Sequence, residues 1–118
     1  MIRRGGNFIL ISLAILTLVS ICVADEVDRN FKKATEHRLS GRLERALPLY
    51  RRVIETSREP LSEHALYHVG EISASLGRWD ESIAAFRLYL RRYPRGVRRK
   101  ETLLGLGESY LNTGRFDK

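Results

Sequence analysis

The sequence predicts an all-α fold, a short solenoid of paired helices preceded by an N-terminal apolar helix. Three observations predict it. Leu, Ala and Arg are abundant and only three prolines occur in 118 residues, a composition suited to helices rather than a sheet sandwich. A tetrapeptide recurs as Gly41-Arg42-Leu43-Glu44, Gly77-Arg78-Trp79-Asp80 and Gly114-Arg115-Phe116-Asp117, at spacings of 36 and 37 residues. Between the recurrences apolar residues fall at helical spacing, as in Ala65, Leu66, Val69, Ile72 and Leu76, then Ile83, Phe86, Leu88 and Leu90.

The chain opens with Arg3 and Arg4 and no acid up to residue 7. Phe8 to Ala24 carries no charge over 17 residues, and Asp25, Glu26 and Asp28 follow at once. A basic start, an apolar middle and a small-residue end form the pattern of an export signal. Three readings stay open. A cleaved signal would place Cys22 and Ala24 before a cut ahead of Asp25. An uncleaved anchor would use a run at the lower limit of the ~17–25 residues that span a bilayer, with the arginines held on the cytoplasmic side. A lipoprotein would carry lipid on Cys22, although Ile21 is a poor fit beside it. Each reading exports the rest, so the expected location is periplasmic, or membrane-anchored and facing the periplasm or exterior. Residues 1–24 are thus set apart from a domain at 25–118. Cys22 is the only cysteine, which excludes an internal disulfide and a CxxC zinc site.

Each tetrapeptide reads as an elbow between helices. Glycine enters the left-handed backbone region without steric cost and ends one helix. The acid falls in the first turn of the next, at its positive dipole end, and the large apolar residue packs at the corner. Helices are expected at about 26–40, 43–57, 61–76, 79–92 and 98–113, with Pro94 and Gly96 breaking the chain between the last two. Pro48 falls inside the second helix, where an interior proline costs about 3 kcal/mol; a local kink is expected there.

The recurring pattern resembles that of tetratricopeptide-repeat (TPR) proteins, whose units of about 34 residues carry Trp-x2-Leu-Gly-x2-Tyr, then Ala-x3-Phe, then Pro. The second unit shows Leu66, Val69, Gly70, Ser73, Ser82, Phe86 and Pro94; the third shows Leu103, Leu106, Gly107 and Tyr110; the first, more weakly, Ala34, His37, Ala46, Tyr50 and Pro60. The stretch LGRWDESIAAFRLYLRRYPRG is similar to TPR segments of bacterial envelope proteins of the Tol-Pal-associated coordinator and barrel-assembly lipoprotein types. The resemblance implies a right-handed solenoid of about two and a half units, at 26–60, 61–96 and 97–118, the last incomplete. It implies that Ala34, Gly70 and Gly107 let paired helices approach, that Tyr50 and Phe86 fill the space between units, and that Gly41, Gly77 and Gly114 end helices.

The resemblance further implies a protein partner, a peptide or helix lying in a concave groove lined by the first helix of each unit. The groove positions are Asp28, Phe31, Thr35 and Arg38, then His64, Tyr67, Glu71 and Ser75, then Glu101, Leu104, Glu108 and Asn112. Phe31, Arg38, His64, Tyr67, Glu71, Leu104 and Glu108 are the candidate contacts, the aromatics foremost among them as hot-spot residue types. The lysine–asparagine clamp for C-terminal carboxylates is absent, because Phe31 and Thr35 stand where it would begin. A scaffold of this kind catalyses nothing and needs no cofactor.

Other features point less far. The chain carries a net charge of +7, and Arg91, Arg92, Arg95, Arg98, Arg99 and Lys100 cluster around Pro94. An alternative function is therefore a basic module at a membrane surface; the export signal argues against nucleic acid. His64 and His68 share metal-chelating spacing with no third ligand, Glu63 and Glu71 reading as surface acids. P-loop, GxSxG and HExxH motifs are absent. The third unit leaves Leu103, Leu106 and Tyr110 without the second helix a repeat requires, so either a truncated reading frame, without function of its own, or self-association is expected.

Overall fold

A computed structural model describes residues 2–57 and 60–114. These form five helices: α1 (Ile2–Leu39), α2 (Leu43–Thr56), α3 (Leu61–Ser75), α4 (Trp79–Arg92) and α5 (Arg99–Thr113), with no strand among the described residues. Each helix packs on its successor in chain order, and α3 also touches α5. This is the all-α helix–turn–helix stack that the repeating elbows predict. The third elbow beyond Gly114 lies outside the described residues, as do the side chains of Arg3 and Arg4.

The helix bounds agree with expectation within a residue or two, with one exception. The first repeat helix does not begin at residue 26; it is the last stretch of α1, a single 38-residue helix that includes the apolar run. The jump from apolar to acidic residues at Asp25 changes the solvent a helix prefers but leaves its backbone hydrogen bonds intact. From Phe8 to Leu39 no glycine or proline interrupts the chain, so nothing breaks the ladder. Residues 9–25 are exposed, whereas Val27 and Ala34 are buried against the repeats. Pro48 likewise sits within α2 without ending it; its ring is exposed.

The elbows follow the glycine argument closely. Gly41, Gly77 and Gly114 have φ of 77°, 73° and 70°, and no other described residue has positive φ. At the first elbow the Gly41 N–H donates to the Arg38 carbonyl (3.1 Å) and the Arg42 N–H to the His37 carbonyl (2.8 Å). Gly77 and Arg78 repeat the pattern on Ala74 and Ser73 (3.0 and 2.8 Å). Both are the pair of hydrogen bonds that closes a helix around a left-handed residue. Arg78 also reaches the Glu44 carboxylate of the preceding elbow (3.3 Å).

The core lies between the helix pairs. Ala34, Ala46, Tyr50, Val53, Ala65 and Tyr89 are wholly buried, with Leu47, Leu66, Ile72 and Phe86 nearly so. A Cβ on Gly70 would lie 2.4 Å from the Phe86 ring; glycine is thus what lets α3 and α4 close together. Buried Ser82 donates to the Gly70 carbonyl (2.9 Å) and meets the Ser109 hydroxyl (3.0 Å), which bonds the Gly105 carbonyl (2.8 Å). One polar seam thus joins α3, α4 and α5.

On α5 the expectation for Gly107 is corrected. A Cβ there would meet nothing within 4 Å, and it is Gly105 that admits the Phe86 ring, at 2.7 Å. The α5 face turned to α4 is Thr102, Gly105 and Ser109. The face carrying Gly107 has no helix against it among the described residues. Leu103, Leu104 and Leu111 are exposed there, and Leu106 and Tyr110 are half-buried.

Candidate partner groove

Several of the candidate groove positions on α1, α3 and α5 interact through their charges, and Arg98 joins them. Glu71 on α3 interacts with Arg38 of α1 on one side and with Tyr67 and His68 of its own helix on the other. Tyr67 in turn feels Arg98 and Glu101 at the start of α5. The Arg98 guanidinium lies over the Tyr67 ring, 4.8 Å from its centroid, a cation–π contact. Arg38, Glu71, Tyr67, Arg98 and Glu101 thus form a continuous polar strip over three helices.

The titration behaviour follows from these contacts. Glu71 is held below its ordinary pKa chiefly by the neighbouring His68, whose Nδ1 lies 3.5 Å from the carboxylate. The Tyr67 hydroxyl and the Arg38 charge add to this, and partial burial opposes it. The Tyr67 hydroxyl is raised, first by burial and then by the Glu71 charge and hydrogen bond; Arg98 acts the other way. At neutral pH the strip carries an ionised Glu71 beside a neutral Tyr67.

Several groove residues also support the fold. Phe31 packs its edge on Tyr50 (5.6 Å between centroids). The Thr35 hydroxyl and the Arg38 Nε both bond the Tyr50 hydroxyl, at 3.0 and 3.2 Å. Tyr50 stacks on His68 at 5.1 Å. Tyr67 is only 9 % exposed, so it offers no open ring. Phe31, Arg38, His64 and Glu71 are half-buried, whereas Leu104 and Glu108 are exposed and border the uncovered face of α5. Asp28, Ser75, Glu101 and Asn112 are exposed along the rim.

Three residues depart from their sequence reading. Glu63 is not a plain surface acid: its Oε1 accepts from the Tyr89 hydroxyl (2.6 Å) and the Val97 N–H (2.8 Å). The Tyr89 hydroxyl accepts from the Arg98 N–H (2.9 Å). This clamp fixes the α4–α5 loop, and a Cβ on Gly96 would strike it. Burial and the Glu63 bond push the Tyr89 hydroxyl up to about 12. His68 is buried rather than paired with His64 on an open surface. Arg98 leaves the basic cluster for the groove, half-buried over Tyr67. Only long-range side-chain reach creates these roles, and no local motif announces them.

The remaining basic residues, Arg91, Arg92, Arg95, Arg99 and Lys100, are exposed. Among the described residues no three His, Cys, Asp or Glu side chains gather to hold a metal ion. Compared with known proteins, residues 31–97 match the tetratricopeptide repeat family. No curated protein and no solved structure matches the chain.

Proposed function

From the premise that the chain belongs to the tetratricopeptide repeat family, we propose that it is a non-catalytic adaptor of the cell envelope, holding a partner's peptide or helix in the groove of α1, α3 and α5. TPR repeats generally mediate protein–protein interaction, and the observation that supports this use here is the Arg38–Glu71–Tyr67–Arg98–Glu101 strip. Arg38 is held by the Tyr50 hydroxyl, Glu71 lies beside His68 and Arg98 over the Tyr67 ring before any ligand arrives, which lowers the ordering cost of binding. Alternating sign favours a ligand of alternating charge or one rich in backbone N–H and C=O groups. Leu104 and Phe31 add apolar contact at its two ends.

The envelope setting is part of the same proposal. The apolar stretch of α1 is long and apolar enough to cross a membrane, with an 18-residue window of mean hydropathy 2.1 and none of that window buried. The Leu76–Gly96 stretch and its likeness to envelope TPR proteins support the same location. A photo-crosslinking amino acid at His64 or Leu104 tests the groove in cells, with Arg87 on the exposed side of α4 as control. Crosslinks to a discrete partner from the first two positions, abolished by Glu71→Arg, are expected. Equal crosslinking from Arg87, or indifference to Glu71→Arg, contradicts groove binding.

A further inference from the structure

We propose that the exposed basic cluster Arg91, Arg92, Arg95, Arg99 and Lys100 docks on the anionic headgroups of the membrane that holds the apolar part of α1. The proposal rests on the anchor reading of that helix and is independent of what the groove binds.

The direction of α1 carries the argument. The repeat helices run antiparallel, so alternate turns fall at opposite ends of the stack. The glycine elbows share one end, where Arg78 meets Glu44 and Gly41 to Arg45 form a cleft with Leu76. The other end holds the α2–α3 and α4–α5 connections, and from it the apolar helix projects. Contacts trace that end step by step. Glu26, just past the apolar run, pairs with Arg52 near the end of α2 (3.3 Å). Val19, Val23 and Ala24 line a cleft of about 650 Å³ with Thr56, Pro60 and Leu61. Thr56 and Ser57 line the next cleft, of about 510 Å³, with Arg92 and Tyr93. The basic cluster is therefore one loop away from the emerging membrane helix, on the same end of the stack.

Two further facts fix the cluster toward the bilayer. No break separates the apolar run from Leu39 in α1, so the repeats cannot swivel as they would on a glycine linker. The α4–α5 loop is held by Glu63 and Tyr89, so its arginines are presented on a fixed turn. With interhelical spacings of 8–10 Å, α4 lies roughly 20 Å to the side of α1, within the plane of the headgroups. A basic residue at an anionic surface contributes about 1 kcal/mol, or about fivefold in population per residue, and the effect dies within a Debye length.

The test uses the full chain reconstituted in nanodiscs, with Cys22→Ser as background and a fluorophore on Arg95→Cys or, at the far end, Arg42→Cys. A quencher is attached to lipid headgroups, and discs contain either phosphatidylcholine alone or a third phosphatidylglycerol. The expected result is strong quenching at position 95 in anionic discs only. It should be reversed by 0.5 M salt, fall about fivefold in docking equilibrium for each of Arg91→Gln and Arg99→Gln, and be weak at position 42 throughout. Equal quenching at 95 and 42, or quenching indifferent to lipid charge and salt, overturns the proposal. So does recovery from cells of a chain that has lost residues 1–24, shown by its mass, in the soluble fraction. Groove crosslinks that persist in the glutamine variants would show the two readings to be separate.

Discussion

The second and third units follow the same repeat pattern and differ in what covers them. In α3, Leu66 is 2 % exposed and Gly70 faces the Phe86 ring; in α5, the equivalent Leu103 is 42 % exposed and Gly107 faces nothing. Ser73 is wholly buried, while its counterpart Tyr110 is half-buried, and neither hydroxyl has a hydrogen-bond partner among the described residues. The two helices present equivalent faces, yet only α3 has α4 against its own. The repeat motif thus specifies a face ready for a neighbour, and the neighbouring helix supplies the burial and hence the stabilisation.

Substitutions should separate the units sharply. Phe86→Ala removes the ring shared by Gly70 and Gly105 and should cost about 3–5 kcal/mol. Leu111→Ala on the uncovered face should cost far less, both read by urea unfolding. Gly70→Ala forces a methyl into the Phe86 ring and should cost about 1–3 kcal/mol. Gly107→Ala should instead stabilise by up to about 1 kcal/mol, because an exposed helical glycine gains propensity without a clash. Destabilisation by both alanines would mean that α5 is covered after all.

The clamp between the units has a pH signature. The folded Tyr89 pKa, about 12, lies above the ordinary value of 10.0, so folding favours the protonated hydroxyl. Its stabilisation is complete below pH 10 and is lost as pH rises toward 12. The melting temperature of the wild type should fall more steeply over that window than that of Tyr89→Phe. Glu71 has the opposite sign and the smallest effect. Its folded pKa lies below the ordinary 4.5, so its contribution is present above pH 4.5 and lost as pH falls further. Glu71→Gln should flatten that acid limb slightly, consistent with a half-exposed carboxylate.

The sequence made the second unit legible because its signals are local. Gly77 demands positive φ, Asp80 sits at the helix start, and the apolar spacing of α3 and α4 has one period. Arg38 and Glu71 fall on the first helices of their units, α1 and α3, as the repeat pattern puts them. Glu63, Tyr89 and Arg98 were not legible, because their roles depend on a loop folding back over the start of α3, which periodicity does not encode. The continuity of α1 was hidden by the charge step at Asp25, although the absence of a breaker between Phe8 and Leu39 carried the signal. Tyr67 illustrates a third case: its burial arises from Arg98 and Phe86, both distant in sequence.

The most direct test of the difference between the units is residue-resolved hydrogen exchange on the full chain in detergent micelles. Backbone amides of α3 and α4 should exchange only through global unfolding, while those of α5 should exchange orders of magnitude faster through local opening. Protection of α5 equal to that of α3 would contradict the account, since an uncovered face would then be as stable as a covered one.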